Sequence, residues 1–161
     1  MKKLLLAALL LLIPTIAHGG THFKYGLGVF NTAEVSAAAS KYFSLGYQSD
    51  LIGPFIEQWE LGLFSDSSGS GRNASGFGFY SIGVEVNPGY FVSRCLWGIG
   101  GITHPDQMLG GHFQFTQDLM FGIRDRKKNM IGFVYKHISS AGIYQPNRGR
   151  DYVLVQVEIP W

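Results

Sequence analysis

The sequence predicts an all-β chain: an eight-stranded antiparallel transmembrane β-barrel of the outer-membrane kind over residues 20–161, behind a secretory signal over residues 1–19. Three observations carry this. The N-terminus reads as an export signal; the remainder holds no run of 18 apolar residues, the length that marks a membrane-spanning helix; and eight segments of strand length follow, most of them alternating with period two.

The signal comes first. Lys2 and Lys3 precede ten apolar residues from Leu4 to Ile13, and small residues around Ala17-His18-Gly19 fit a peptidase site, so the mature chain is expected to begin at Gly20. Ten apolar residues are too few to span a bilayer as a helix, which needs about 20. Of 13 basic side chains the two lysines leave with the signal, so 11 face 11 acidic ones, none of which lies in that segment. Nothing in a neutral chain without a basic stripe suggests a nucleic-acid partner. Cys95 is the only cysteine, so no internal disulfide is expected. With 22 glycines and 14% aromatic residues, the composition suits short strands and tight turns.

The segments run Phe23 to Phe30, Lys41 to Gln48, Phe55 to Phe64, Gly76 to Val86, Tyr90 to Gly100, His112 to Arg124, Met130 to Ser139 and Asp151 to Trp161. The first sets Phe23, Tyr25, Leu27 and Val29 against Lys24, Gly26 and Gly28. The sixth sets Phe113, Phe115, Leu119, Phe121 and Ile123 against His112, Gln114, Thr116, Asp118 and Gly122. In a transmembrane barrel the apolar row meets lipid and the polar row fills the lumen. The second, fourth and fifth segments alternate poorly, and bulges at Gly46, Gly83 or Gly98 are the expected reason. Asn87-Pro88-Gly89 and Asp125 to Asn129 are short turns, whereas Ser65 to Ser75, Ile102 to Gly111 and Ser140 to Arg150 are long. Short turns belong on the periplasmic side and long loops outside, so the seventh strand ascends and the eighth descends. Val153, Val155, Val157, Ile159 and Trp161 alternate with Tyr152, Leu154, Gln156, Glu158 and Pro160 up to an aromatic end, which resembles the last strand of outer-membrane proteins.

The chemistry gathers in the last hairpin. Ile131, Phe133, Tyr135, His137 and Ser139 share one face of the seventh strand, and Asp151, Val153, Val155 and Val157 one face of the eighth. Three polar residues, His137, Ser139 and Asp151, then point toward lipid near the extracellular end, where they are costly without a role. If the hairpin closes symmetrically around its loop, Ser139 lies opposite Asp151, and Asp151 is diagonal to His137 at about 7–8 Å between Cα atoms. A serine beside an imidazole, itself oriented by a carboxylate, is the set that nucleophilic catalysis needs.

His137-Ile138-Ser139-Ser140-Ala141-Gly142, followed by Pro146-Asn147-Arg148-Gly149, resembles the signature of the PagL-type lipid A 3-O-deacylases: His-x-Ser-Asn-Ala-Gly, Pro-Asn-x-Gly, then Glu. The motif covers about the last 30 residues. The resemblance implies an eight-stranded outer-membrane barrel that hydrolyses the 3-O-linked acyl ester of lipid A, the lipid anchor of lipopolysaccharide, in the outer leaflet. Ser139 falls on the family nucleophile and His137 on its general base; Asp151 stands where the family has Glu. Ser140 stands where the family has the Asn implicated in the oxyanion hole, a donor whose loss can cost roughly 100- to 1000-fold in rate. The Ser140 hydroxyl or the Gly142 amide is the expected substitute.

No cofactor or metal is expected; the partners are the lipid substrate and the surrounding membrane lipid, and the oligomeric state stays open, a homodimer included. Glu158 has lumen parity and lies more than about 20 Å from the hairpin tip, so an ion pair with Lys136 or another lumen cation is its expected role. His104, Asp106 and His112 are spaced too loosely for a metal site; Lys127 and Lys128 read as a solvated turn, and Ser67-Ser68-Gly69-Ser70-Gly71 as a mobile outer loop. Two other readings compete: a non-enzymatic small barrel serving adhesion or envelope integrity, for which Ser140 argues, and a phospholipase.

Overall fold

A computed structural model describes residues 19–29, 40–65, 74–105, 109–145 and 149–160. Apart from Gly19, which opens the first strand, the expected signal segment lies outside them, as do the Ser67 to Gly71 stretch, Asp106, and Pro146-Asn147-Arg148. The described strands are β1 (Gly19–Val29), β2 (Ser40–Asp50), β3 (Phe55–Ser65), β4 (Ala74–Val86), β5 (Phe91–Ile102), β6 (Phe113–Arg124), β7 (Met130–Ser139) and β8 (Arg150–Pro160). From β2 onward each begins and ends within two residues of the segment read from the sequence. Every neighbour is antiparallel, and the sheet closes into a barrel where β1 pairs with β8, from Gly20 opposite Pro160 to Val29 opposite Asp151.

Two rows of side chains follow from the two-residue repeat of a strand. The outward row is apolar and open, with Leu61, Phe121 and Phe133 each about two-thirds exposed. The inward row divides into two zones. In one half of the lumen, charges neutralise each other: Arg94 bonds Glu158 through both terminal nitrogens and Glu85 through Nε at 2.6 Å, and Arg124 joins Glu85. Higher up, Lys136 Nζ lies 2.9 Å from Asp118 and 3.2 Å from Glu60, with the Tyr42 hydroxyl also donating to Glu60. Charges taken out of water are tolerable only when paired in this way. The other half is an aromatic plug of Tyr42, Phe64, Phe77, Phe79 and Tyr152, with ring centroids 4.9–6.2 Å apart, so side chains fill the bore.

That plug accounts for the poor alternation and corrects the expected bulges. Pairing runs one residue to one through Gly46, Gly83 and Gly98 without interruption. The pattern blurs because the lumen row of β2 to β5 itself carries Tyr42, Phe64, Phe77, Phe79, Val92 and Leu96, all buried. Gly98 answers to crowding: a Cβ there would sit 2.1 Å from Ser81 Oγ and 2.6 Å from Thr116 Oγ1.

Candidate active site

The outward row of β7 ends in Tyr135, His137 and Ser139, and the outward row of β8 begins at Asp151. The register sets His137 directly opposite Asp151, and Ile138 opposite Arg150. This corrects the symmetric closure, which set Ser139 opposite Asp151. The loop is asymmetric: Ser140 enters a tight turn at once, Ile143 N donating to Ser140 O at 3.0 Å, with Ala141 and Gly142 both at positive φ (50° and 83°). That is the geometry of a type I′ turn. The register differs from the symmetric one by two residues, so every side chain keeps its face.

Direct opposition shortens the span between the two side chains. Cβ atoms of such pairs lie about 4.5–5.5 Å apart, a gap that an aspartate closes: His137 Nδ1 is 2.7 Å from Asp151 Oδ1, both side chains about a third exposed (33% and 31%). With the carboxylate ionised, Nδ1–H is the donor, which fixes the tautomer and leaves Nε2 as a free acceptor. The same Oδ1 accepts a second bond, 2.8 Å, from the Tyr135 hydroxyl. Sequence reasoning placed Tyr135 on the outward face but gave it no role, because an aromatic ring on a lipid-facing row reads as membrane packing.

Ser139 lies one outward step beyond His137, half-buried, and its hydroxyl makes no hydrogen bond to the imidazole in this structure. Such contacts often tighten only when substrate is bound. Ser140 departs from expectation. Its side chain is fully buried, with inward parity, and its Oγ accepts from Tyr144 N at 3.4 Å. It caps the turn and does not face the outer wall with Ser139. The central amides of the turn, Ala141 and Gly142, have no acceptor among the described residues, and a Cβ on Gly142 would meet nothing within 4 Å. Gly149 has φ +69°, and a Cβ there would sit 2.7 Å from His137 Cε1 and 3.3 Å from Nε2. A side chain at this position would push the imidazole out of place.

The remaining candidates lie elsewhere. Glu158 faces the lumen and pairs with Arg94 rather than Lys136. His112 Nδ1 contacts Ile102 O at 2.9 Å and His104 Nδ1 contacts Thr103 Oγ1 at 3.0 Å; among the described residues no three metal-binding side chains cluster. A cavity of about 600 Å³ opens at the other mouth of the barrel, lined by Gln48, Glu85, Arg124 and Glu158 among others. It contains no residue of the His137 cluster. A substrate anchored in lipid would meet the outer wall, which needs no enclosed pocket.

Comparison with known proteins points to one family. The family model described as lipid A 3-O-deacylase (PagL) matches residues 41–160. The lipid A deacylase PagL of Bordetella bronchiseptica is 42% identical over 48 residues, which span 30% of this chain and 27% of that protein. The crystal structure of the outer membrane enzyme PagL superposes with a TM-score of 0.66 over 89% of this chain and 99% of that one, at 15% identity. At that identity the likeness is one of fold.

Proposed function

This chain belongs to the lipid A 3-O-deacylase family, and from that premise we propose that it is a serine esterase removing the 3-O-linked acyl chain of lipid A. It would act as an eight-stranded barrel spanning the outer membrane, exported by the signal over residues 1–19, with its site in the outer leaflet. The observation that carries the reading is the 2.7 Å His137–Asp151 contact on the outward wall, one step from Ser139. Polar groups on a lipid-facing row are costly, and here they stand where a lipid-borne ester meets the protein.

In the reaction, His137 Nε2 takes the Ser139 hydroxyl proton as Oγ attacks the ester carbonyl. Asp151, bonded at Nδ1, stabilises the imidazolium, with Tyr135 holding the carboxylate. The Gly142 amide, beside Ala141, donates to the oxyanion in place of the family's Asn; a backbone donor of this kind is worth roughly 100- to 1000-fold. Collapse of the tetrahedral intermediate expels the sugar 3-oxygen, which receives the proton from His137. Water, deprotonated by the same imidazole, then frees the acyl chain from Ser139.

Mass spectrometry of lipid A from cells expressing the protein tests this. The wild type should yield lipid A lighter by one acyl chain, and Ser139→Ala the unmodified species. An unchanged profile with folded wild-type barrel refutes the deacylase, and loss of a glycerophospholipid chain instead makes it a phospholipase.

A further inference from the structure

On the far side of the barrel from the His137 hairpin, the outward wall holds a second acid. Around the closed sheet β3 lies four strands from β7 in either direction, and its outward row runs Phe55, Glu57, Trp59, Leu61 and Leu63. All but Glu57 are exposed apolar residues; Glu57 is a carboxylate two residues in from the start of the strand, about 7 Å along it. The register puts Ser49 directly opposite Glu57 on β2, and Tyr80 directly opposite Trp59 on β4. Ser49 Oγ donates to Glu57 Oε1 at 2.7 Å and the Tyr80 hydroxyl to Oε2 at 3.1 Å, while the Tyr80 and Trp59 rings pack with centroids 4.5 Å apart. These neighbours leave Glu57 7% exposed. The lumen acids Glu60, Glu85, Asp118 and Glu158 each have an Arg or Lys beside them. Glu57 has none among the described residues. Hydroxyls orient a carboxylate without cancelling its charge, and an uncancelled charge on a lipid-facing row is costly.

The cancelling cation has to come from outside the chain. Of the outward residues on β2 to β4 only Lys41 is cationic, and it stands about 27 Å along β2 from Ser49. A second copy related by a twofold axis along the barrel would bring its own Glu57 to the same depth, setting like charges together. The turn below, Leu51 to Pro54, exposes Leu51 and Ile52, the latter to 84%. The two other turns at that mouth, Asn87 to Gly89 and Asp125 to Asn129, are polar. An apolar edge of this kind belongs in the headgroup zone of a membrane, the level that Trp and Tyr also favour. Lipid covers the wall of a spanning barrel everywhere, so a partner protein would first have to displace it. A headgroup ammonium supplies the cation: its N–H groups donate to the carboxylate, the faces of Trp59 and Tyr80 attract its charge, and its acyl chains continue up the wall along Leu61 and Leu63. Resting on the membrane-spanning reading above, we propose that Glu57, Trp59 and Tyr80 form a binding site for the primary ammonium headgroup of a phospholipid in the periplasmic leaflet, at the opposite end of the barrel from the hydrolase site.

The test uses the full-length protein folded in micelles, with native mass spectrometry in an equimolar mixture of phosphatidylethanolamine and phosphatidylglycerol of identical acyl chains. Only the first carries an ammonium. The wild type should retain it over the second by roughly tenfold, the worth of one charge-assisted hydrogen bond. Glu57→Gln, which keeps the side chain's length, should bring the ratio near one. Trp59→Leu, which leaves the carboxylate in place, should lower it a few-fold and serves as the probe should Glu57→Gln fail to fold. Equal retention of the two lipids by the wild type overturns the inference, as does a preference that survives in folded Glu57→Gln. A dimer that dissociates in Glu57→Gln also overturns it, making a second copy the occupant. Flotation with liposomes of either lipid separates the premise from the inference: folded wild type that stays out of both overturns the membrane-spanning reading itself, whereas insertion into both without a headgroup preference overturns the binding site alone.

Discussion

Replacing Gly149 by alanine isolates the role of the loop in holding the imidazole. The added Cβ would lie 2.7 Å from His137 Cε1, against an ordinary carbon–carbon contact of about 3.5–4.0 Å, so the ring must retreat by about 1 Å. Misplacement on that scale can cost roughly 100-fold in rate. Alanine at φ +69° adds backbone strain of about 1–2 kcal/mol, and Gly53→Ala controls for this: Gly53 has φ +63° with nothing within 4 Å of its Cβ. Initial rates of fatty-acid release in micelles, alongside denaturant unfolding of the same samples, separate the two effects. Both variants should lose similar stability, while Gly149→Ala alone loses kcat by about two orders of magnitude. Near-wild-type turnover by folded Gly149→Ala would show that the imidazole is not held by this contact.

Three further predictions follow from the same hairpin and its neighbour. Asp151→Asn should lower kcat by roughly 10³- to 10⁴-fold, the cost of losing a triad carboxylate, whereas Asp151→Glu, which restores the family residue, should keep most activity; equal activity in the two removes the carboxylate from the mechanism. Tyr135→Phe takes away the 2.8 Å bond to Asp151 and should lower kcat roughly tenfold with KM nearly unchanged, and a change confined to KM would assign Tyr135 to lipid packing. In the β6–β7 turn, outside the strands, the Asn129 side chain holds the Asp125 carboxyl below the usual carboxylate range. Its contribution is therefore present above about pH 4, the unfolded value, and lost as pH falls through the lower folded one. Asp125→Ala should unfold more readily than the wild type at pH 7 and converge with it near pH 2; a constant difference would refute the linkage.

The strands were legible because the outward row is apolar along its length, and Phe113, Phe121, Ile131, Phe133 and Val153 keep to that rule regardless of what fills the lumen. The lumen row obeys no such rule. It can be aromatic, as at Tyr42, Phe77 and Phe79, or charged, as at Arg94 and Lys136, so alternation faded in β2, β4 and β5 although their pairing is regular. At the site, parity placed His137, Ser139 and Asp151 on one wall, because parity survives a two-residue shift in register. The direct His137–Asp151 opposition was hidden, since it depends on a turn that starts at Ser140, and alanine at a positive φ is not a residue that announces such a turn. The inward aim of Ser140 follows from the same turn. Gly149 appeared only as a motif letter; its physical reason, the ring packed against it, needs the third dimension.

Nucleophilic catalysis through Ser139 on the outer wall of this hairpin is open to a direct chemical test. A lipid-soluble fluorophosphonate, which bonds covalently to activated serines, tests it on the purified barrel in micelles, with the adduct located by peptide mass spectrometry. The expected result is a single adduct on Ser139, suppressed by His137→Ala and by competing lipid A. An adduct on another residue, or hydrolysis of lipid A that continues at full rate in Ser139→Ala, would contradict it.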